Sequence, residues 1–204
     1  MKSYDNSNKV VEALGEKVIQ ALGAAIPRTR LDLDRYRRSL PDIVATSSPR
    51  GLANWFHDRV WHHVVSELHD RDNIVIVDKG PLREIVVDGT YRVRIKRHDK
   101  KGRVNTYPTQ SALEFLSQTP EQMVLDGFAE VRLIAGYQWN SMTHEIGPAV
   151  LSLRDGLDNV LWLIELPEQA DGASVESITG PRTPHRPRIE FQLDDDREAE
   201  ADAK

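Results

Sequence analysis

The sequence predicts an α+β fold, with N-terminal helices packed on a mostly antiparallel sheet of five or six strands that contains one inserted short helix. Two observations predict this class. Apolar residues recur at helical spacing as far as residue 69, and from Ile74 onward they alternate with polar residues as they do in strands. Asp-Gly pairs at 88–89 and 155–156 are typical of hairpin turns. Helices followed by strands, rather than alternating with them, argue against a doubly wound nucleotide-binding fold.

The first 48 residues form the predicted N-terminal helical segment. Apolar residues at four-residue steps predict a helix over residues 9–25, namely Val10, Leu14, Val18 and Leu22. Proline lacks the backbone N–H that a helix interior needs, so Pro27 is expected to end this helix. A second, short helix is predicted over residues 31–40, and Pro41 is expected to stop it.

Residues 49–167 form the predicted α+β core domain. It begins with the best-defined helix, residues 49–69, because Ser48 is a good N-cap and Pro49 suits the first helical position. Thr109 is expected to cap the inserted short helix, residues 110–118. The predicted strands cover residues 74–77, 84–87, 91–98, 128–139, 145–153 and 160–166.

Residues 168–204 are predicted to be a disordered acidic tail, since they hold proline, glycine and charge but few large apolar groups. Local charge differs sharply from the net charge of −5. Residues 194–204 contain six acids and two bases, whereas residues 83–103 contain eight bases and three acids. Because partner choice depends on local charge, the second segment is a candidate anion-binding region.

Composition excludes several function classes. The chain has no cysteine, so disulfides, thiolate metal sites and cysteine nucleophiles are excluded. No apolar run approaches the roughly 18 residues of a membrane span, and the N-terminus lacks the apolar core of a signal peptide, so a cytoplasmic location without membrane contact is expected. Phosphate-loop, dinucleotide-binding and nucleophile-elbow motifs are missing, and no cofactor is predicted.

The predicted strand over residues 91–98 carries the most informative pattern. Side chains alternate along a strand, so Tyr91, Val93 and Ile95 share one face. The other face is a row of cations formed by Arg92, Arg94, Lys96 and His98, which favours an anion such as phosphate. The predicted anion-binding or nucleic-acid-binding residues are Arg92, Arg94, Lys96, Arg97 and His98. The alternative is a solvated outer face of an antiparallel sheet.

A polar ladder lies within the apolar sector of the 49–69 helix. Arg59, His63 and Glu67 follow one another at four-residue steps. In one interpretation Arg59 or His63 pairs with Glu67 at the edge of the core, because buried polar groups need partners. In the other, the ladder lines a cleft where His63 performs acid–base chemistry and Glu67 orients it.

The predicted catalytic residues are His63, Glu67 and Lys96, whose types suit a metal-independent ribonuclease; whether the protein is an enzyme stays open. A metal-dependent nuclease core needs a helix acid, a strand Asp and an acid-x-lysine strand, with which Glu67, Asp88 and residues 94–96 invite comparison. Such a nuclease is disfavoured, because Arg94 occupies the position of the acid in the third element. On the opposite helix face Asp58 and His62 have a permissive metal-ligand spacing, but no third ligand is indicated. No metal site is therefore predicted.

Residues 91–99 and 105–115, followed by Gly136-Tyr137, resemble a group of uncharacterised bacterial proteins over about residues 74–166. Members of that group are often encoded beside a helix-turn-helix protein with an ImmA/IrrE-type metallopeptidase domain, an arrangement similar to a toxin–antitoxin or phage-repressor pair. The resemblance implies a small effector or toxin-like partner. Together with the basic strand it gives the leading hypothesis, a cytoplasmic toxin-like effector that acts on RNA or another phosphate-rich target and is restrained by a protein antitoxin. The alternative is a non-enzymatic interaction module that binds the regulator-peptidase partner. The resemblance implies no catalytic residues.

Overall fold

The computed structural model describes residues 4–80, 82–104, 106–118, 130–140 and 145–168, and the backbone of residues 177–179. The helices are α1 (Ser7–Leu14), α2 (Glu16–Ser39), α3 (Pro41–Thr46), α4 (Pro49–Leu68) and α5 (Gln110–Leu116). The strands are β1 (Ile74–Lys79), β2 (Leu82–Val87), β3 (Tyr91–His98), β4 (Val131–Asn140), β5 (Glu145–Arg154), β6 (Val160–Glu165) and β7 (Ser177–Thr179). The predicted α+β class, with helices first and one short helix inserted into the sheet, is confirmed.

The strands form a mixed sheet in the order β1-β2-β3-β4-β5-β6-β7. Neighbouring strands are antiparallel except β3 and β4, which are parallel and place Arg94 beside Ile134 and Lys96 beside Gly136. A parallel pair needs a long crossover, and this one includes α5. The six strands between Ile74 and Glu165 agree with the prediction, and β7 adds a short seventh.

Helices cover both faces of the sheet. α1 contacts β6, α2 contacts β4 and β5, and α4 contacts β3, all on one face, which we call the helix face. α5 contacts β4 on the opposite face, which we call the outer face. The main core joins the N-terminal helices to the sheet, since one cluster holds Val10, Ile26, Val64, Val93 and Leu151. The predicted helical segment and core domain therefore share one core.

The N-terminal helices differ from the prediction. The chain breaks at Gly15, whose φ of 78° ends α1, and α2 then runs through Pro27 to Ser39 as one helix. Proline removes one helical hydrogen bond, but Ile26 and Leu33 on either side of it are buried, so packing holds the helix together. Pro41 does end the preceding helix, yet it also begins α3, because proline suits the first helical position.

Local signals in the core domain are confirmed. Ser48 accepts a hydrogen bond from the Gly51 N–H at 3.0 Å, with Pro49 as the first residue of α4. Thr109 caps α5 through the Ala112 N–H at 3.2 Å. Asp88 and Gly89 have φ values of 50° and 66°, the left-handed conformation that the predicted hairpin turn requires. These elements follow from short-range chemistry alone.

The start of the predicted disordered tail is ordered. The Glu168 carboxylate accepts two hydrogen bonds from Arg30, at 3.0 and 2.5 Å, and a third from the Ala149 N–H at 3.0 Å. The backbone of residues 177–179 pairs with β6. Prediction failed here because both segments depend on partners distant in sequence. The rest of the predicted tail lies outside the described residues.

None of the helices in the described ranges combines the length and the apolar character of a membrane span.

Candidate functional site

The arginines of the basic strand bind a carboxylate on the neighbouring strand. The hairpin register sets Glu84 opposite Arg94, and Glu84 is only 3 % exposed. Arg94 donates from Nε and Nη2 to Oε1 of Glu84, at 2.8 and 2.5 Å, and Arg92 donates from Nη1 to Oε2 at 2.9 Å. The guanidinium of Arg94 also lies 3.8 Å from the ring centroid of Phe115 on α5. Two of the five predicted anion-binding residues thus already have an anion.

A second carboxylate continues this pairing. Glu130 lies just before β4, with Oε2 at 2.9 Å from Nε of Arg92. Its Oε1 accepts a hydrogen bond from Nε of Arg132 at 2.7 Å. Because β3 and β4 are parallel, Arg92 and Arg132 are register neighbours on the outer face. The row of cations that the sequence predicts is therefore interleaved with acids.

Arg97 and His98 do not extend an exposed cationic row. Arg97 lies over the ring of Trp139, with its guanidinium carbon 5.7 Å from the centroid. His98 is fully buried, and its Nε2 lies 3.0 Å from Oγ of Ser152. Burial, aided by the positive charge of Arg154, lowers the pKa of His98 to about 3, so the ring is neutral near pH 7. The prediction that His98 binds an anion conflicts with its position inside the sheet.

Lys96 differs from Arg92 and Arg94 in lacking a carboxylate partner among the described residues. It is half-buried on the outer face, and in the described part of the chain no carboxylate lies within ion-pair distance of its ammonium group. Burial first, and the charge of Arg94 second, lower the pKa of Lys96. Its strand neighbour Gly136 has a φ of 150°, and a Cβ there would lie 1.9 Å from the Lys96 carbonyl oxygen. Glycine is therefore required at position 136.

The polar ladder of α4 is bound by α2. Oδ2 of Asp32 accepts hydrogen bonds from Arg59 Nε at 2.9 Å and Arg59 Nη2 at 2.6 Å, and it lies 2.8 Å from His63 Nε2. Burial tends to raise the pKa of Asp32, but the bonds from Arg59 and His63 outweigh it and lower that pKa. Glu67 pairs with Arg28, which lies one turn before Asp32. The predicted pairing of Arg59 or His63 with Glu67 is wrong, because each finds its partner on α2.

The three predicted catalytic residues do not meet. His63 and Glu67 lie in the helical layer, while Lys96 lies on the outer face, so the sheet separates them. Asp58, one of the two residues with metal-ligand spacing, forms an ion pair with Arg83. The residues described here include no group of three side chains suited to hold a metal ion.

A cleft of about 500 Å³ lies between the C-terminal half of α2 and the end of the β4–β5 pair. Its apolar lining consists of Leu33, Trp139, Ile146 and Pro148. Its cationic lining consists of Arg30, Arg37 and Lys100, and its acids are Asp34 and Glu145. The sequence did not predict this site, because only tertiary packing brings α2, β4 and the loop after β3 together. The continuation of α2 past Pro27 is what creates one of its walls.

The cations of the cleft differ in availability. Arg30 is engaged, since it binds Glu168 and donates to the Gly147 carbonyl oxygen at 2.8 Å. Arg37 is about half exposed and reaches Asp34 only at 3.9 Å. Lys100 is exposed, and no carboxylate among the described residues pairs with it. Arg37 and Lys100 are thus the charges that a ligand at the rim would meet.

Comparison of the chain with models of protein families, with curated proteins and with solved structures gives no match.

Proposed function

We propose that this protein is a non-enzymatic interaction module that binds a partner protein. One observation carries the proposal: the groups suited to catalysis are committed to structural pairs or lie apart. His63 and Glu67 hold α4 to α2, and Lys96 is on the other side of the sheet. General acid–base catalysis needs its groups within hydrogen-bond reach of one substrate, and this arrangement does not provide that.

The partner that the sequence resemblance implies is a helix-turn-helix protein with an ImmA/IrrE-type metallopeptidase domain. The basic strand is poorly suited to contact it, because Glu84 and Glu130 already neutralise Arg92 and Arg94. The cleft beside α2 is better suited, because it is concave and partly apolar and has available cations at its rim. Concave apolar sites with a few polar groups are the usual places where ligands bind.

The test is co-expression of the chain with the product of the neighbouring gene. We expect the two proteins to co-purify through size-exclusion chromatography and the chain alone to leave bacterial growth unchanged. The variant His63→Gln/Glu67→Gln is the matched control, and it should retain the complex because neither residue lines the cleft and Arg59 keeps its own bonds to Asp32. Growth arrest by the chain alone, abolished by Lys96→Ala, would contradict the proposal.

A second candidate function is a toxin-like effector that binds RNA. It is favoured by Lys96, whose ammonium group lacks a carboxylate partner in the described ranges, and by the exposed lysines at 100 and 101. Binding to RNA would weaken steeply with salt because counterions return to the phosphates. Filter binding to total cellular RNA at two salt concentrations tests it. Flat, weak retention that Lys96→Ala does not change excludes this candidate.

A further inference from the structure

The cleft between α2 and the β4–β5 end has the size and lining of a side-chain pocket. Its volume of about 500 Å³ lies within the range of roughly 300–1,000 Å³ that is typical of ligand sites. Trp139 forms a wall, and the contact of Arg97 with its ring helps to fix the indole. Leu33, Ile146 and Pro148 complete the apolar surface. A bulky apolar side chain entering here would leave water for a preformed surface, which is how binding anchors act.

The rim of the cleft favours an acidic neighbour to that anchor. The 3.9 Å separation between Arg37 and Asp34 exceeds hydrogen-bond distance, so the guanidinium of Arg37 can still donate hydrogen bonds to a closer carboxylate. Lys100 lines the same cleft from the loop after β3, and no carboxylate in the described part of the chain pairs with it. The acids of the lining offset part of this charge, since Asp34 lies 3.9 Å from Arg37 and Glu145 has contacts of its own. The lining cation that stays without a carboxylate partner among the described residues is Lys100.

Exposed aliphatic side chains continue from the cleft along the helices. Leu40, the C-cap of α2, lies three residues after Arg37 and is 45 % exposed, and Ile43 on α3 is 51 % exposed. α3 buries none of its residues and contacts α2. Exposed apolar residues beside a cleft are typical of a surface that another chain covers. An apolar surface that continues beyond the pocket onto α3 suits a peptide segment better than a small molecule.

We infer that this cleft binds a short acidic segment of a partner protein, with one bulky apolar side chain in the pocket and carboxylates on Arg37 and Lys100. The inference rests on the proposed function and names the chemistry of the partner segment. The apolar anchor supplies binding energy through burial, and the rim charges supply orientation and selectivity. Basic segments are disfavoured because they would face Lys100, which has no carboxylate partner in the described part of the chain.

Phage-displayed random 12-residue peptides, selected on the immobilised full chain, test the inference. We expect the enriched peptides to share a large apolar residue flanked by Asp or Glu. The best peptide, labelled with fluorescein, should bind at least about fivefold more weakly to Lys100→Glu and to Arg37→Glu, as measured by fluorescence anisotropy. Lys101→Glu is the matched control, because it reverses a neighbouring exposed charge that does not line the cleft, and it should bind within about twofold of the original chain.

Three results would overturn the inference: no enrichment above the bare support, enrichment of basic peptides, or binding that neither charge reversal weakens. If Arg37→Glu unfolds, Lys100→Glu on an exposed loop still decides the matter. Failure of the proposed function is distinguishable from failure of this inference. If the neighbouring gene product forms a complex that the selected peptide does not displace, the proposed function holds but the cleft is not where that partner binds. If the peptide binds but that complex does not form, the cleft is a peptide-binding site and the neighbouring gene product is not its partner.

Discussion

Removal of the Glu84 carboxylate should destabilise the fold more than any exposed charge change. Glu84 receives three hydrogen bonds from Arg92 and Arg94 while it is almost completely buried. Removing one partner of a buried pair typically costs about 3–5 kcal/mol, because the remaining charge is left without compensation. Here Arg92 keeps Glu130 and Arg94 keeps the ring of Phe115, so the lower end applies. We expect Glu84→Gln to lose about 3 kcal/mol of unfolding free energy.

Urea unfolding followed by circular dichroism at pH 7 measures this loss, and a chain of this size should also lose about 6–12 °C in Tm. Glu165→Gln is the matched control, because Glu165 is an exposed acid in the same sheet, and it should change the free energy by less than about 0.5 kcal/mol. The double variant Glu84→Met/Arg94→Met should recover much of the loss, since both charges are gone. A cost for Glu84→Gln below about 1 kcal/mol, or equal to that of the control, would refute the internal pairing of the basic strand.

Three further predictions concern single positions. Asp32→Asn should cost about 1–3 kcal/mol of unfolding free energy at neutral pH, because it leaves Arg59 and His63 short of a partner. The folded-state pKa of Asp32 lies below 3.8, so the difference in unfolding free energy between the variant and the original chain should persist above that pH and fade as the pH falls through the folded-state pKa. Urea unfolding from pH 7 to pH 2 measures this change. His98 has a folded pKa of about 3 against an ordinary 6.5, so below pH 6.5 the unfolded chain binds a proton that the folded chain refuses. Stability should then fall by up to about 1.4 kcal/mol per pH unit towards pH 3, and a His98→Leu variant measured at pH 7, 6, 5 and 4 should lack this part of the slope; identical slopes would place His98 in contact with water. Gly136→Ala should prevent folding, because its Cβ would overlap the Lys96 carbonyl oxygen. Gly156 is also at positive φ but has open space around it, so Gly156→Ala should cost only about 1–2 kcal/mol of backbone strain. Equal soluble yields and equal Tm values of the two variants would contradict the close approach of β3 and β4.

The parts of the fold that were predictable are those that local chemistry determines. The Ser48-Pro49 start of α4 and the Asp88-Gly89 turn need no information from the rest of the chain. Pro27 shows the limit of such reasoning. Its helix-breaking tendency is local, but Ile26 and Leu33 bury enough apolar surface on the sheet to keep α2 whole. Because the sequence predicts a break at Pro27, it does not indicate that Asp32 lies on the same helix as Ile26 and faces α4.

The candidate site was predicted less well, because its chemistry depends on pairs between elements. The partners of the α4 ladder lie on α2, and no spacing within α4 reveals them. Glu84 is different, since a signal for it was present. The Asp-Gly turn fixes a hairpin register, and counting back along it sets Glu84 opposite Arg94. Alternation along β3 identified the cations correctly but said nothing about the acid across from them. The cleft had no comparable signal, because it forms where three distant segments meet.

The packing of α1 and α2 on strands that come much later in the chain has a consequence during synthesis. α1 and α2 leave the ribosome before the strands, yet part of the surface on which they pack belongs to β4, β5 and β6. α2 ends at Ser39 and β6 at Glu165, so at roughly 5–20 residues per second the helices wait on the order of 10 s for their binding surface. During that interval the apolar side of α2 has only α1 and α4 to cover it. Nascent-chain chaperones should therefore engage this protein at its N-terminal helices, and release should coincide with the emergence of β6.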